Sequence, residues 1–266
     1  MKKFIKIILI ICIVTAVYTG VLYGIQDHLI YYPDTRYESP ADVNMPQFKE
    51  NPLVMRDGTQ VMTWYYRGNP EKPAVLFLHG NAGEISYFAP HLRPLLEKGY
   101  TVLAMEYRGF GNTKGHIRQQ VVMADAAEVF DFLKKEGYEK IVFYGYSLGS
   151  GYASALTSLR QADGLILTAP FYSLKTLVAE KPIPFAKYVL KDDYLSYMYL
   201  RNFDRPAVVI HGKKDLLIPY HNGERLFVQI PSADKQWHLV ENANHHSIFY
   251  EEKNVPFVLD FLEKYF

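Results

Sequence analysis

A single cysteine, Cys12, is all that 266 residues contain. No disulfide framework can form from it, and no cysteine-based zinc site can be built. Surplus charge is missing as well: 29 Lys and Arg stand against 28 Asp and Glu, a net +1. That balance makes no field for nucleic acid or acidic polymers, so neither is expected as a partner. There is no internal repeat and no low-complexity segment, which excludes a repeat array or a disordered chain. What remains is apolar. At 49% hydrophobic and 21% charged the chain can bury a full core, and its length suits one α/β domain. The 22 Tyr and 16 Phe suit a packed core and an apolar pocket equally.

The amino end carries Lys2, Lys3 and Lys6 ahead of an uncharged run over residues 7–25, with Asp27 behind it. As a helix that run spans about 28 Å, close to the hydrocarbon thickness of a bilayer. The basic residues orient the amino end to the cytoplasm. The expectation is a single-pass anchor over residues 1–28, with the rest of the chain across the membrane. A cleaved signal would show a shorter apolar core and small residues at its exit. Here Tyr18, Val21, Leu22 and Tyr23 continue the run, and Ile11 rather than a small residue precedes Cys12.

Residues 29–52 hold Pro33, Pro40, Pro46 and Pro52, and are expected to form an extended connector. Asp57-Gly58 between residues 53–56 and 60–66 predicts a hairpin. From residue 74 strand and helix alternate. Apolar runs at 74–78, 101–107, 141–144, 164–168, 207–211 and 236–240 read as strands, the unbroken ones as strands buried on both faces. Residues 85–98, 117–136, 220–230 and 247–266 read as helices, Pro90 and Pro94 weakening the first. Such alternation argues for a mostly parallel twisted sheet wrapped by helices on both faces, and in such sheets ligands bind beyond the carboxyl ends of the strands.

Ser147 stands at one of those ends, in Gly145-Tyr146-Ser147-Leu148-Gly149. A nucleophile on a sharp strand-to-helix turn crowds its neighbours, and glycine two residues either side relieves the crowding. The bare pattern has about 0.1 chance occurrence in a chain this long, so the context must carry it: a strand before and an Ala- and Leu-rich helix after. A serine hydroxyl needs a base, itself oriented by a carboxylate. Asp215 follows the strand at 207–211, and His245 follows the strand ending at 240. His246 is adjacent and could be the base instead; counting from Glu241 favours His245. Asp215 could merely cap its turn. His79 and His211 read as loop braces, Asp125 as an exposed or capping carboxylate, and His91, His116 and His238 as surface residues. No metal or cofactor is implied, since His245-His246 lacks further ligands at suitable spacing.

These motifs make the chain resemble the α/β-hydrolases. Among them it is similar to the small membrane-anchored α/β-hydrolase-domain proteins described as lysophospholipases, acyl-protein thioesterases or peptidase-like enzymes. The resemblance runs over residues 29–266. It rests on His79-Gly80-Asn81-Ala82-Gly83, Tyr107-Arg108-Gly109-Phe110-Gly111, the Ser147 turn, and His211-Gly212 with Asp215. It implies an α/β-hydrolase domain over 53–266 with a small cap at about 171–202. It implies Ser147 as nucleophile, His245 as general base and acid, and Asp215 as orienting partner. It implies an oxyanion hole from the backbone N–H groups of Asn81 and Leu148, and an open substrate site lined by Phe171 and Tyr172 is expected. Glu106, where the family usually has Asp, reads as structural; Asn244 replaces a glycine that often precedes the histidine. The implied reaction is hydrolysis of an ester or thioester of a small-molecule or lipid acyl substrate. A peptidase with the same triad and a non-catalytic binding protein on the same fold are the alternatives.

Overall fold

A computed structural model describes residues 1–266. Its centre is an eight-stranded sheet built from the apolar runs: β1 (Lys49–Glu50), β2 (Thr63–Tyr66), β3 (Ala74–Leu78), β4 (Thr101–Met105), β5 (Ile141–Tyr146), β6 (Gly164–Thr168), β7 (Ala207–Gly212) and β8 (Lys235–Val240). Their order across the sheet is β8-β7-β6-β5-β3-β4-β2-β1. The six strands from β3 to β8 pair in parallel; β2 runs antiparallel to β4, and β1 antiparallel to β2. Every residue of β3 to β7 is buried.

Alternation along each strand divides those side chains between two cores. Leu76, Leu103, Phe143, Leu165 and Val209 join a cluster with α2 (Gln119–Lys135) and α3 (Leu148–Leu156) on one face. Val75, Val102, Tyr144, Ile166 and Val208 join Phe261 and Leu262 of the carboxyl-terminal helix on the other. A one-residue slip in any strand would exchange the two sets, so the register is tightly specified.

The helices depart from the sequence reading where proline or a left-handed residue intervenes. The expected helix at 85–98 is three short pieces, Ile85–Phe88, a 3₁₀ turn Ala89–Leu92, and Arg93–Glu97. Pro90 and Pro94 start the second and third, because proline fits a first turn and not an interior. The expected closing helix is two, Ser247–Tyr250 and Val255–Tyr265, separated where Glu252 takes φ 55°. The hairpin forms between Leu53–Val54 and Gln60–Val61, but its second arm breaks at Met62 and continues as β2 in the main sheet.

At the amino end α1 runs from Lys2 to Ile30 and is long and apolar enough to cross a membrane. The following residues are docked rather than free. Tyr32–Pro33 pairs in parallel with Ala82–Gly83, and Lys49–Glu50 closes the sheet as β1.

Candidate active site

Ser147 sits between β5 and α3 with φ 53° and ψ −118°, a conformation that costs a non-glycine residue on the order of 1–3 kcal/mol. The surroundings hold it there. Its N–H donates to the Thr168 carbonyl at 2.9 Å, and its own carbonyl accepts from the Ser150 N–H at 2.9 Å and the Ser150 hydroxyl at 2.6 Å. The two flanking glycines are sterically required: a Cβ on Gly149 would collide with the Leu78 carbonyl, and one on Gly145 with the Gly149 carbonyl.

Three side chains from three loops meet at this rim. Ser147 Oγ lies 2.9 Å from His245 Nε2, and His245 Nδ1 lies 2.7 Å from Asp215 Oδ2. The other Asp215 oxygen accepts the Leu217 N–H at 2.9 Å and the Ile218 N–H at 2.8 Å. Burial by itself would raise the Asp215 carboxyl, but hydrogen bonds from His211 and His245 outweigh it and hold the group down at about 2. Tyr146 stacks on the His245 ring at 5.6 Å and donates its hydroxyl to the His245 carbonyl at 2.9 Å. His246 is elsewhere, exposed and stacked on Tyr250 at 4.1 Å. Of the two adjacent histidines, His245 is the one that lies beside Ser147.

The loop after β3 supplies Asn81 beside Ser147 and Leu148. Its base is braced by His79, held between the Gly80 carbonyl and Glu106, each at 2.8 Å. Glu106 also accepts the Ile85 N–H at 2.9 Å and the Tyr107 N–H at 3.0 Å. Next in the loop is Glu84, wholly buried, with one oxygen on the Ser86 hydroxyl and the other without a partner. Burial lifts its carboxyl to about 7. The Asn81 side-chain amide donates to the Ile30 carbonyl at 2.8 Å, and the Asn81 main-chain carbonyl accepts the Tyr32 N–H at 2.8 Å.

Beside Ser147 opens a pocket of about 230 Å³ in which 14 of 18 lining residues are hydrophobic. Phe171 lines it, with Leu174, Leu177 and Val178 of the cap. Tyr172 does not: it stacks on Tyr197 at 4.5 Å, with the Arg225 guanidinium 4.2 Å over its ring. A flat aromatic that finds both a ring and a cation outside the pocket has little to gain by entering it.

Several residues passed over in the sequence have structural duties. Asp125 is neither exposed nor a cap; it is buried and forks onto Arg108 at 2.7 and 2.6 Å. His211 faces the Ile218 carbonyl at 2.8 Å and lies 3.4 Å from Asp215, bracing the carboxylate loop. His91 and His238 are half-buried, His238 stacked on Phe257 at 4.3 Å, and of the three expected at the surface His116 alone is exposed. Leu217 and Ile218, which line the pocket and donate to Asp215, carried no sequence signal beyond following Asp215.

The chain is similar to known proteins. The family model described as "Serine aminopeptidase, S33" matches residues 69–194. The uncharacterised protein Rv2307c of Mycobacterium tuberculosis is 30% identical over 89% of this chain and 87% of its own. The lysophosphatidylserine lipase ABHD12 of Xenopus tropicalis is 29% identical over 70% of this chain and 55% of its own. Among solved structures, the Pyrococcus furiosus esterase Pf2001 superposes with TM-score 0.68 at 19% identity, covering 89% of this chain and 98% of the esterase. With that fold and that identity to the mycobacterial protein over most of its length, the chain belongs to the α/β-hydrolase superfamily.

Proposed function

We propose that this chain is a membrane-anchored serine hydrolase that cleaves carboxylic esters or thioesters of acyl substrates. The observation that carries the reading is the unbroken line from Ser147 through His245 to Asp215, at 2.9 and 2.7 Å, on a strained turn that aims the hydroxyl at an apolar pocket. In this reading His245 Nε2 takes the Ser147 proton as Oγ attacks the acyl carbonyl. The backbone N–H groups of Leu148 and Asn81 hold the oxyanion, and His245 returns the proton to the leaving alcohol or thiol. Water then adds to the acyl-enzyme with the same groups in reverse, releasing the acid and freeing Ser147. Asp215, ionised at any pH above about 4 by its hydrogen bonds, fixes the tautomer and orientation of His245.

The pocket favours an acyl ester over an amino-terminal peptide. An aminopeptidase needs an anion for the substrate's α-ammonium, and no Asp or Glu lines this pocket, whose single charged side chain is Lys181. The proposed organisation is an anchor over 1–28, a connector over 29–52 whose end, Lys49–Glu50, pairs into the central sheet, and a catalytic domain over 53–266 with its cap at 171–202. By the positive-inside rule, Lys2, Lys3 and Lys6 favour an amino end in the cytoplasm and a catalytic domain on the opposite side.

The test is fluorophosphonate labelling of the full chain in detergent, with p-nitrophenyl esters as substrates. Labelling and turnover are expected in the native protein. Ser147→Ala abolishes labelling and lowers kcat by about 10⁴- to 10⁶-fold. A native protein that neither labels nor turns over any ester sinks the reading.

A further inference from the structure

The pocket beside Ser147 is not closed by the hydrolase domain alone. Leu22, Gln26, Leu29 and Ile30 of α1 line it. Their spacing of i, i+4, i+7 and i+8 puts them on one helix face. Opposite stand Val178, Ile183 and Val189 of the cap. The contact between helix and cap is built from polar groups as well as apolar ones. Gln26, nearly fully buried in an otherwise exposed helix, donates to the Val189 carbonyl and accepts the Lys191 N–H, both at 2.8 Å. Asp27 takes the Lys191 ammonium at 2.7 Å and the Arg118 guanidinium at 2.8 Å. A helix that only tethered the domain would have no use for a buried amide that reads two backbone groups of the cap.

Depth follows from length. The 29 residues of α1 extend about 43 Å, against about 30 Å for the hydrocarbon core. With the uncharged run ending at Ile25 in the bilayer, Leu22 lies just inside the surface and Gln26 to Ile30 just outside. The cap also exposes Ile183, Phe185 and Tyr188 in the stretch that carries Lys181 and Lys187, the apolar and basic mixture that suits a lipid headgroup region.

Resting on the serine-hydrolase reading above, we propose that the last turns of the membrane helix are a wall of the acyl site. A substrate's acyl chain passes from the bilayer along α1 to Ser147, and Leu22, Leu29 and Ile30 set the chain length accepted. At about 230 Å³ the pocket lies below the usual range of about 300–1,000 Å³ for ligand sites, and it takes one acyl chain while the polar head stays outside.

The experiment uses the full chain in phosphatidylcholine vesicles and p-nitrophenyl esters from acetyl to hexadecanoyl. Leu22→Trp fills the wall, and kcat/KM for the dodecanoyl ester relative to the acetyl ester falls by about tenfold or more. Leu22→Ala opens it and moves the preferred chain longer, which keeps the test decisive should the Trp variant fail to fold. Val17→Trp, on another face of the same helix and exposed, is the control and leaves the chain-length profile as in the native protein. If Leu22→Trp or Leu22→Ala keeps the native profile while the esters are still cleaved, the wall is overturned and the hydrolase reading stands. If the native protein cleaves no ester and Ser147 takes no fluorophosphonate, the hydrolase reading fails first and the wall with it.

Discussion

Two loops at the carboxyl ends of parallel strands carry buried carboxylates, and their surroundings treat them in opposite ways. Asp215, after β7, has both oxygens occupied, by two backbone N–H groups on one side and two imidazoles on the other. Glu84, in the loop after β3, has one oxygen on a hydroxyl, the other on nothing, and a second carboxylate, Glu106, in its neighbourhood. Burial raises both; only Asp215 has enough donors to reverse it, so one carboxyl falls to about 2 and the other rises to about 7. Protonation here is decided by donor count, not by depth.

On the proposed serine-hydrolase reading, Asp215→Asn breaks the comparison at the Asp215 end. An amide in place of the carboxylate fixes the wrong tautomer of His245, and kcat falls by about 10⁴-fold while fold and ester binding persist; stopped-assay kinetics with a circular-dichroism check measure it. Arg108→Ala tests a third buried carboxylate. It leaves Asp125 without its forked partner and lowers stability by about 3 kcal/mol, read from thermal melts in detergent. Glu84→Gln works at the other loop and in the other direction. Glu84 ionises near 7 in the folded chain against an ordinary 4.5, so its contribution is intact below pH 4.5 and is lost as pH rises to about 7. The Gln variant lacks that loss and is the more stable protein at pH 8, by on the order of 2 kcal/mol, with parity at pH 4.5. Asp215 has the reverse slope, since its contribution is present above about pH 4 and disappears as pH falls through about 2. The smallest effect belongs to His246→Ala. Its ring touches Tyr250 and not Ser147, and kcat/KM stays within about twofold; a collapse in activity would mean that the wrong histidine has been placed beside the serine.

Local signals were readable wherever chemistry demanded a particular residue at a particular spacing. Gly145 and Gly149 announced the Ser147 turn because nothing with a Cβ fits there, and the unbroken apolar runs announced β3 to β7 because strands covered on both sides need no polar face. Order along the chain put Asp215 and His245 after the right strands. What stayed hidden depends on partners distant in sequence. The Arg108–Asp125 fork spans 17 residues and the stacking of Tyr172 on Tyr197 spans 25, so neither shows in a local pattern. Asp125 on a helix looked like a surface acid because its guanidinium arrives from another loop. Gln26 was invisible for the same reason: a lone amide at the end of an apolar run gives no hint that the carbonyl of Val189 waits opposite.

The short pairing of Tyr32–Pro33 with Ala82–Gly83 limits how the protein can be re-engineered. Because that ribbon joins the first residues after the helix to the loop after β3, a foreign membrane segment can be spliced in upstream of Leu22 without disturbing the rim around Ser147. A splice made at residue 34 would strip a strand from the loop that holds Asn81. Soluble versions cut at that boundary would therefore lose this brace together with the α1 wall of the pocket, and a chimera series stepping the junction from 20 to 34 would separate the two.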